Sequence, residues 1–140
     1  LPENIAIHGI TPSMVEKARD FAAVWVELEP YLRGRVVVAH NAPFDMGVLR
    51  ASLLAHHLPP PQFHQCCTVQ IARRVWPQLK NHKLNTVGDF LHIAFRHHDA
   101  LEDARACAAI PVAAAKVAGA QDMAQLAERL RVPIRPFVMG

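Results

Sequence analysis

The sequence predicts an α/β fold in which a small buried sheet is crowded by helices. Two runs supply the strands. Arg35-Val36-Val37-Val38-Ala39 is β-branched and apolar without alternation, the pattern of a strand covered on both faces. Phe63 to Thr68 is a second, weaker strand, set off by Leu58-Pro59-Pro60-Pro61. Around them lie segments whose apolar residues recur at helical spacing.

In chain order, Leu1 to Ile10 reads as extended and turns at Gly9, and Thr11-Pro12 opens a short helix with Thr11 as its cap. A helix over Phe21 to Leu32 leads into the strong strand, which ends at His40. From Pro43 to His57 the apolar positions Phe44, Val48, Leu49, Ala51, Leu53 and Leu54 fit a helix closed by the prolines. Val69 to Trp76 is helical and stops at Pro77; Lys80 to Lys83 is a loop; Thr86 to Ile93 is helical. The longest helix starts at Asp99 and runs to about Val117, bent where Pro111 removes a backbone donor and crowds the preceding turn. Gln121 to Leu130 forms a final helix. Residues 132–140, with Pro133-Ile134-Arg135-Pro136, read as a tail or linker, leaving 1–131 as one domain. Two strands are few for so many apolar helix faces, so further strands are expected to belong to the fold.

Bulk properties admit many functions and remove a few. At 140 residues, half of them hydrophobic and a fifth charged, the chain has an ordinary globular composition and length enough for a core. A formal charge of +3 is mildly basic, and the Lys and Arg residues are scattered, which permits a nucleic-acid partner without requiring one. Cys66, Cys67 and Cys107 make neither a disulfide framework nor a Cys-x-x-Cys pair, which favours a reducing compartment. The most apolar stretch, Ala106 to Ala115, is too short to cross a bilayer. Neither His64 with Cys66 and Cys67, nor the pairs His56-His57 and His97-His98, have the ligand spacing of a structural zinc site.

Two blocks stand out: His40-Asn41-Ala42-Pro43-Phe44-Asp45 and His98-Asp99-Ala100-Leu101-Glu102-Asp103. Each puts a carboxylate at the start of a helix with a histidine just upstream. Asp45 follows the buried strand directly, at the sheet end where α/β proteins bind ligands; its alternative role is to complement the helix dipole, worth about 0.3–1 kcal/mol. Asp99 and Glu102 have the spacing of a capping box and are assigned structural roles. His98 and Asp103, five positions apart on a continuous helix, would splay by roughly 140°. A loop position for His98 is what allows both to face one site.

Both blocks resemble signature motifs of the DEDDh family of 3′–5′ exonucleases, which includes the proofreading subunit of bacterial DNA polymerase III. Ile7-His8-Gly9-Ile10-Thr11 and Lys80-Asn81-His82-Lys83-Leu84 add weaker similarity, which continues to about Gly119. The resemblance implies a ribonuclease H-like fold. It also implies Asp45 and Asp103 as ligands to two Mg2+ or Mn2+ ions, His98 as the general base, and His40 and Asn41 as residues shaping the substrate site. Histidine suits the basic role because its ordinary pKa of about 6.5 leaves it largely neutral near pH 7. His40 and Asn41 equally suit a second role, ending the strand and satisfying loop backbone groups.

One signature is absent. The family's first block, an Asp-x-Glu on an N-terminal strand, has no counterpart here, since Glu3 and Glu16 are the only acids before Asp20. Against the family pattern the chain is expected to begin after the third strand, and the 140 residues alone are expected to be inactive. Three readings follow. The first is a 3′–5′ exonuclease acting on nucleic-acid 3′ ends, single-stranded DNA foremost, in proofreading or repair. The second is a catalytically inactive binding module on the same fold. The third is an active enzyme seen without its first segment, which reconciles the motifs present with the motif absent. A DNA polymerase is an expected partner, a membrane is not, and the expected location is cytoplasmic. His8, Lys83, Arg73, Arg74 and Arg96 are read as surface or packing residues, with nucleic-acid contact as their alternative.

Overall fold

The computed structural model describes residues 5–7 and 21–140. The turn at Gly9, the helix opened by Thr11-Pro12, and His8 lie outside the described residues. Among the described residues four strands, β1 (Ile5–Ile7), β2 (Val36–Ala39), β3 (His64–Cys67) and β4 (Arg135–Pro136), form one sheet in that spatial order. The first three are parallel and β4 runs antiparallel to β3. The helices are α1 (Phe21–Leu32), α2 (Ala42–Ala55), α3 (Thr68–Val75), α4 (Leu84–Phe90), α5 (Ala100–Ala118) and α6 (Met123–Leu130).

Side chains alternate across the sheet and so build two cores. Val37, Ala39 and Cys67 point to one face, where Phe21, Trp25, Met46, Leu49 and Leu53 of α1 and α2 cover them. Val38 and Cys66 point to the other, against Ile71, Val87, Cys107, Ile110 and Leu126 of the remaining helices. The unbroken apolar run of β2 is thus the centre of a three-layer α/β/α stack, as a doubly covered parallel strand should be. This is the mixed architecture of a ribonuclease H-like fold.

The sheet is larger than the two strands legible in sequence. Ile5–Ile7 pairs with Val36 to Val38 and extends it on one side. On the other side, the segment expected as a free tail folds back: Gln65 pairs with Arg135 and His64 with Pro136. Phe137 then stacks on Phe63 at 4.9 Å between ring centroids, its N–H donating to the Phe63 carbonyl. Arg50 lies over the same Phe137 ring and donates to the Val138 carbonyl. Burial of one aromatic ring outweighs the strand-breaking tendency of the flanking prolines, and an edge position tolerates the missing donor of Pro136.

Pro111 sits inside α5 without ending it. The helix continues because Pro111, Ile110, Ala114 and Ala115 are buried against the sheet and α6, so packing holds the turn that proline weakens. The amide missing at Pro111 is the one that would bond the carbonyl of Cys107, four residues earlier.

Candidate active site

Asp45 enters the site from β2. The strand ends at Ala39, Asn41 takes a left-handed backbone (φ 71°) as the N-cap of α2, and Pro43 fits the first turn. Asparagine tolerates that conformation better than most residues, which is why the reversal from strand to helix occurs there. Asp45 then lies on the inward side of the first turn, only 8% exposed, while Phe44 beside it faces out. No hydrogen bond or ion pair reaches its carboxyl among the described residues. Burial alone pushes its pKa up to about 7. A desolvated carboxyl with no counter-charge is what a cation would relieve.

The strand end is locked by a chain of hydrogen bonds whose directions follow from its two carbonyls. His40 Nε2 lies 2.6 Å from the His82 carbonyl, so that nitrogen carries the proton and donates. Burial holds the imidazole pKa below its ordinary value, with the hydrogen bond to His82 opposing. The ring is therefore neutral near pH 7, and Nδ1 accepts from the Thr68 hydroxyl at 2.8 Å. Thr68 Oγ1 is left to accept from the Cys107 thiol at 3.4 Å. That thiol is pushed up to about 12, chiefly by burial and also by the Asp45 charge, and stays protonated. At the other end, His82 Nε2 donates to the Trp76 carbonyl at 2.8 Å. Both His40 ring nitrogens are consumed inside the protein.

Asp103 enters from α5. Asp99 caps that helix, accepting from the N–H groups of Leu101 (3.1 Å) and Glu102 (3.2 Å). The capping box is only half formed: the Asp99 N–H donates to the Arg96 carbonyl, and Glu102 turns to Arg105 at 3.8 Å. His98 lies just outside the helix with a left-handed backbone (φ 73°), and its N–H donates to Asp103 Oδ1 at 3.3 Å. His97 Nδ1 stands 3.6 Å from the same oxygen, and the His97 and His98 rings are 3.9 Å apart. The loop conformation, not helix spacing, brings His98 and Asp103 together.

Cys107 joins the two halves. Its thiol feels the Asp45 charge, and it lies one helical turn beyond Asp103 on the same face of α5. Asp45 and Asp103 are thus each related to one buried thiol, the first through its charge and the second through the helix they share. Among the described residues no group of three or more His, Cys, Asp or Glu side chains converges as a metal site. Asp45 and Asp103 are hard oxygen donors that fit a divalent ion but supply only part of a ligand set.

Two features of this region were not visible in the sequence. Gly88 on α4 packs so tightly on Phe95 that a Cβ would lie 2.5 Å from the ring, and Phe95 sets its ring edge-on to His97. Beside His40 and Asn41, an open groove of about 570 Å³ is lined by Gln70, Arg73, Asn81 and Lys83. Chain positions so far apart carry no common signal.

These motifs on this α/β fold define a DEDDh-like exonuclease domain. The chain belongs to the Exonuclease (RNase_T) family, whose model matches residues 2–110. It is 34% identical over 90 residues to the PolC-type DNA polymerase III of Streptococcus thermophilus (strain ATCC BAA-491 / LMD-9), covering 64% of this chain and 6% of that one. To the PolC-type DNA polymerase III of Oceanobacillus iheyensis it is 36% identical over 103 residues, 73% of this chain and 7% of the relative. The chain thus spans less than a tenth of the length of these relatives. Among solved structures it is similar to exonuclease X in complex with 5′ overhanging duplex DNA, with a TM-score of 0.59 and 28% identity over 89% of this chain and 70% of the other. No helix among the described residues is long and apolar enough to cross a membrane.

Proposed function

We propose that this chain forms part of a divalent-metal-dependent 3′–5′ exonuclease that hydrolyses phosphodiester bonds at nucleic-acid 3′ ends, in DNA proofreading or repair. One observation carries the reading: the carboxyl of Asp45, buried in the first turn of the helix that follows β2, has no hydrogen-bond or ion-pair partner among the described residues. Family membership and the polymerase relatives support it, and a DNA polymerase is the partner they favour. The reading takes the reaction to be cytoplasmic.

Asp45 and Asp103 would hold Mg2+ or Mn2+, which when bound activates a water and stabilises charge on the leaving oxygen. His98 accepts the proton of the attacking water. The N–H of that residue, tied to Asp103, keeps the base beside the carboxylate it serves. His40 orients the strand end instead of touching substrate, since neither ring nitrogen is free. Asn41, exposed at the helix start, is the residue of that pair open to the substrate.

The alternative is an inactive binding module, favoured by the lack of any Asp-x-Glu in the 140 residues. The two readings separate on joining a strand that bears Asp-x-Glu upstream of Leu1. The joined protein should shorten a 5′-labelled single strand in Mg2+ from its 3′ end, and His98→Ala or Asp103→Ala should slow it by about 10²–10⁴-fold. Full activity in both variants would sink the mechanism. The 140 residues alone should show negligible turnover.

A further inference from the structure

We infer that the groove beside His40 receives the phosphodiester backbone of the nucleic-acid strand, with Arg73 and Lys83 as its phosphate contacts. The inference rests on the nucleic-acid reading above and assigns it a surface. Arg73 projects from α3 near enough for its charge to help lower the His40 pKa, and Lys83 ends the loop that His40 pins through the His82 carbonyl. No ion pair engages either cation among the described residues, and no carboxylate lines the groove. Both side chains are exposed.

Beside Pro43, Cys67, Val69 and the two histidines, the walls carry the amides of Asn41, Gln70 and Asn81, which offer N–H donors to phosphate oxygens. The groove is open and adjoins Asn41, the N-cap of the helix whose first turn carries Asp45. An extended polyanion suits this form, where an enclosed small molecule would not. The hydrogen-bond chain from Trp76 through His82, His40 and Thr68 to Cys107 fixes the spacing between the two cations, because it ties the Lys83 loop to the start of α3.

The test measures binding by the 140-residue chain of a fluorescein-labelled single-stranded deoxyoligonucleotide, by anisotropy across a salt series in EDTA, where neither metal nor hydrolysis contributes. Arg73→Gln with Lys83→Gln should weaken binding about tenfold at low salt and reduce the slope of log affinity against log salt by about 1.4, two single-strand phosphate contacts. Arg74→Gln, one residue along α3 and outside the groove, should change neither. Both positions are exposed, and an unchanged thermal unfolding curve verifies the fold. Unaltered affinity and slope in the double variant overturn the groove while leaving the nucleic-acid reading in place. Equal binding of a poly-glutamate peptide with the same dependence on Arg73 and Lys83 overturns the assignment to a nucleic-acid strand. A native chain that binds no oligonucleotide sinks the reading beneath both.

Discussion

The two halves of the candidate site are built to different standards of rigidity. Around Asp45, every polar group of the His40 chain has a partner, the imidazole tautomer is dictated by the His82 carbonyl, and Thr68 and Cys107 are buried. Around Asp103, the contacts are long, the histidines are exposed, and the loop before the helix is held by the Asp99 cap, its N–H bond to the Arg96 carbonyl and the ring contacts of His97 with Phe95 and His98. The lesson is a division of labour. In the roles proposed above, a carboxyl that receives a cation benefits from a buried, fixed setting, whereas a base that exchanges protons with water needs access to it.

The sharpest way to break this contrast is Asp45→Asn. The Asp45 pKa in the folded chain, about 7, lies above its ordinary value of 3.8, so the protonated form is favoured on folding. That contribution is fully present below the ordinary value and is lost as pH rises through about 7. The variant should therefore melt higher than the native chain at pH 8, and the gap should close towards pH 4. At pH 8, Mg2+ should raise the native melting temperature by binding the folded form and leave the variant unmoved. A variant no more stable than the native chain at pH 8 would show that the carboxyl is not desolvated.

A smaller effect separates the histidines. His40→Ala leaves the Thr68 hydroxyl proton without its acceptor and the His82 carbonyl without its donor, at about 1–3 kcal/mol for each group that stays dry. His98→Ala, at an exposed loop, should cost less than about 0.5 kcal/mol. Urea midpoints measure both, and equal costs would erase the distinction between the halves. Between the two histidine variants falls Asp99→Ala, which removes the α5 cap and should cost about 1 kcal/mol. Its use is diagnostic: amide exchange should quicken at Leu101 and Glu102 and not at Asp45.

What the sequence revealed depended on how local the physics is. Helix α1 is found over the residues expected for it, and β2 differs from its expected bounds only at Arg35, because an unbroken valine run admits one interpretation. Asp99 as a cap was legible for the same reason, since its partners are two and three residues away. The return contact from Glu102 was not, because a nearby arginine offered that side chain another partner. Strand β4 was hidden by its prolines, and its evidence, the Phe63–Phe137 stack, joins distant parts of the chain. The same distance concealed the His40 chain, whose members come from β2, α3, α5 and the loop before α4. Asp45 was legible as a candidate, but the burial that gives it its pKa belongs to the tertiary fold.

The short strand at the chain's far end has a bearing on how molecules of this protein meet one another. An exposed sheet edge is a template on which a second copy can add strands. Here the outermost position beside β3 is taken by only two residues, one charged and one lacking an N–H. Arg135 brings repulsion and Pro136 has no donor to give, so a neighbour finds no ladder to continue. The sheet is thereby closed on that side to growth by self-association, leaving concentrated solutions less inclined to form extended aggregates.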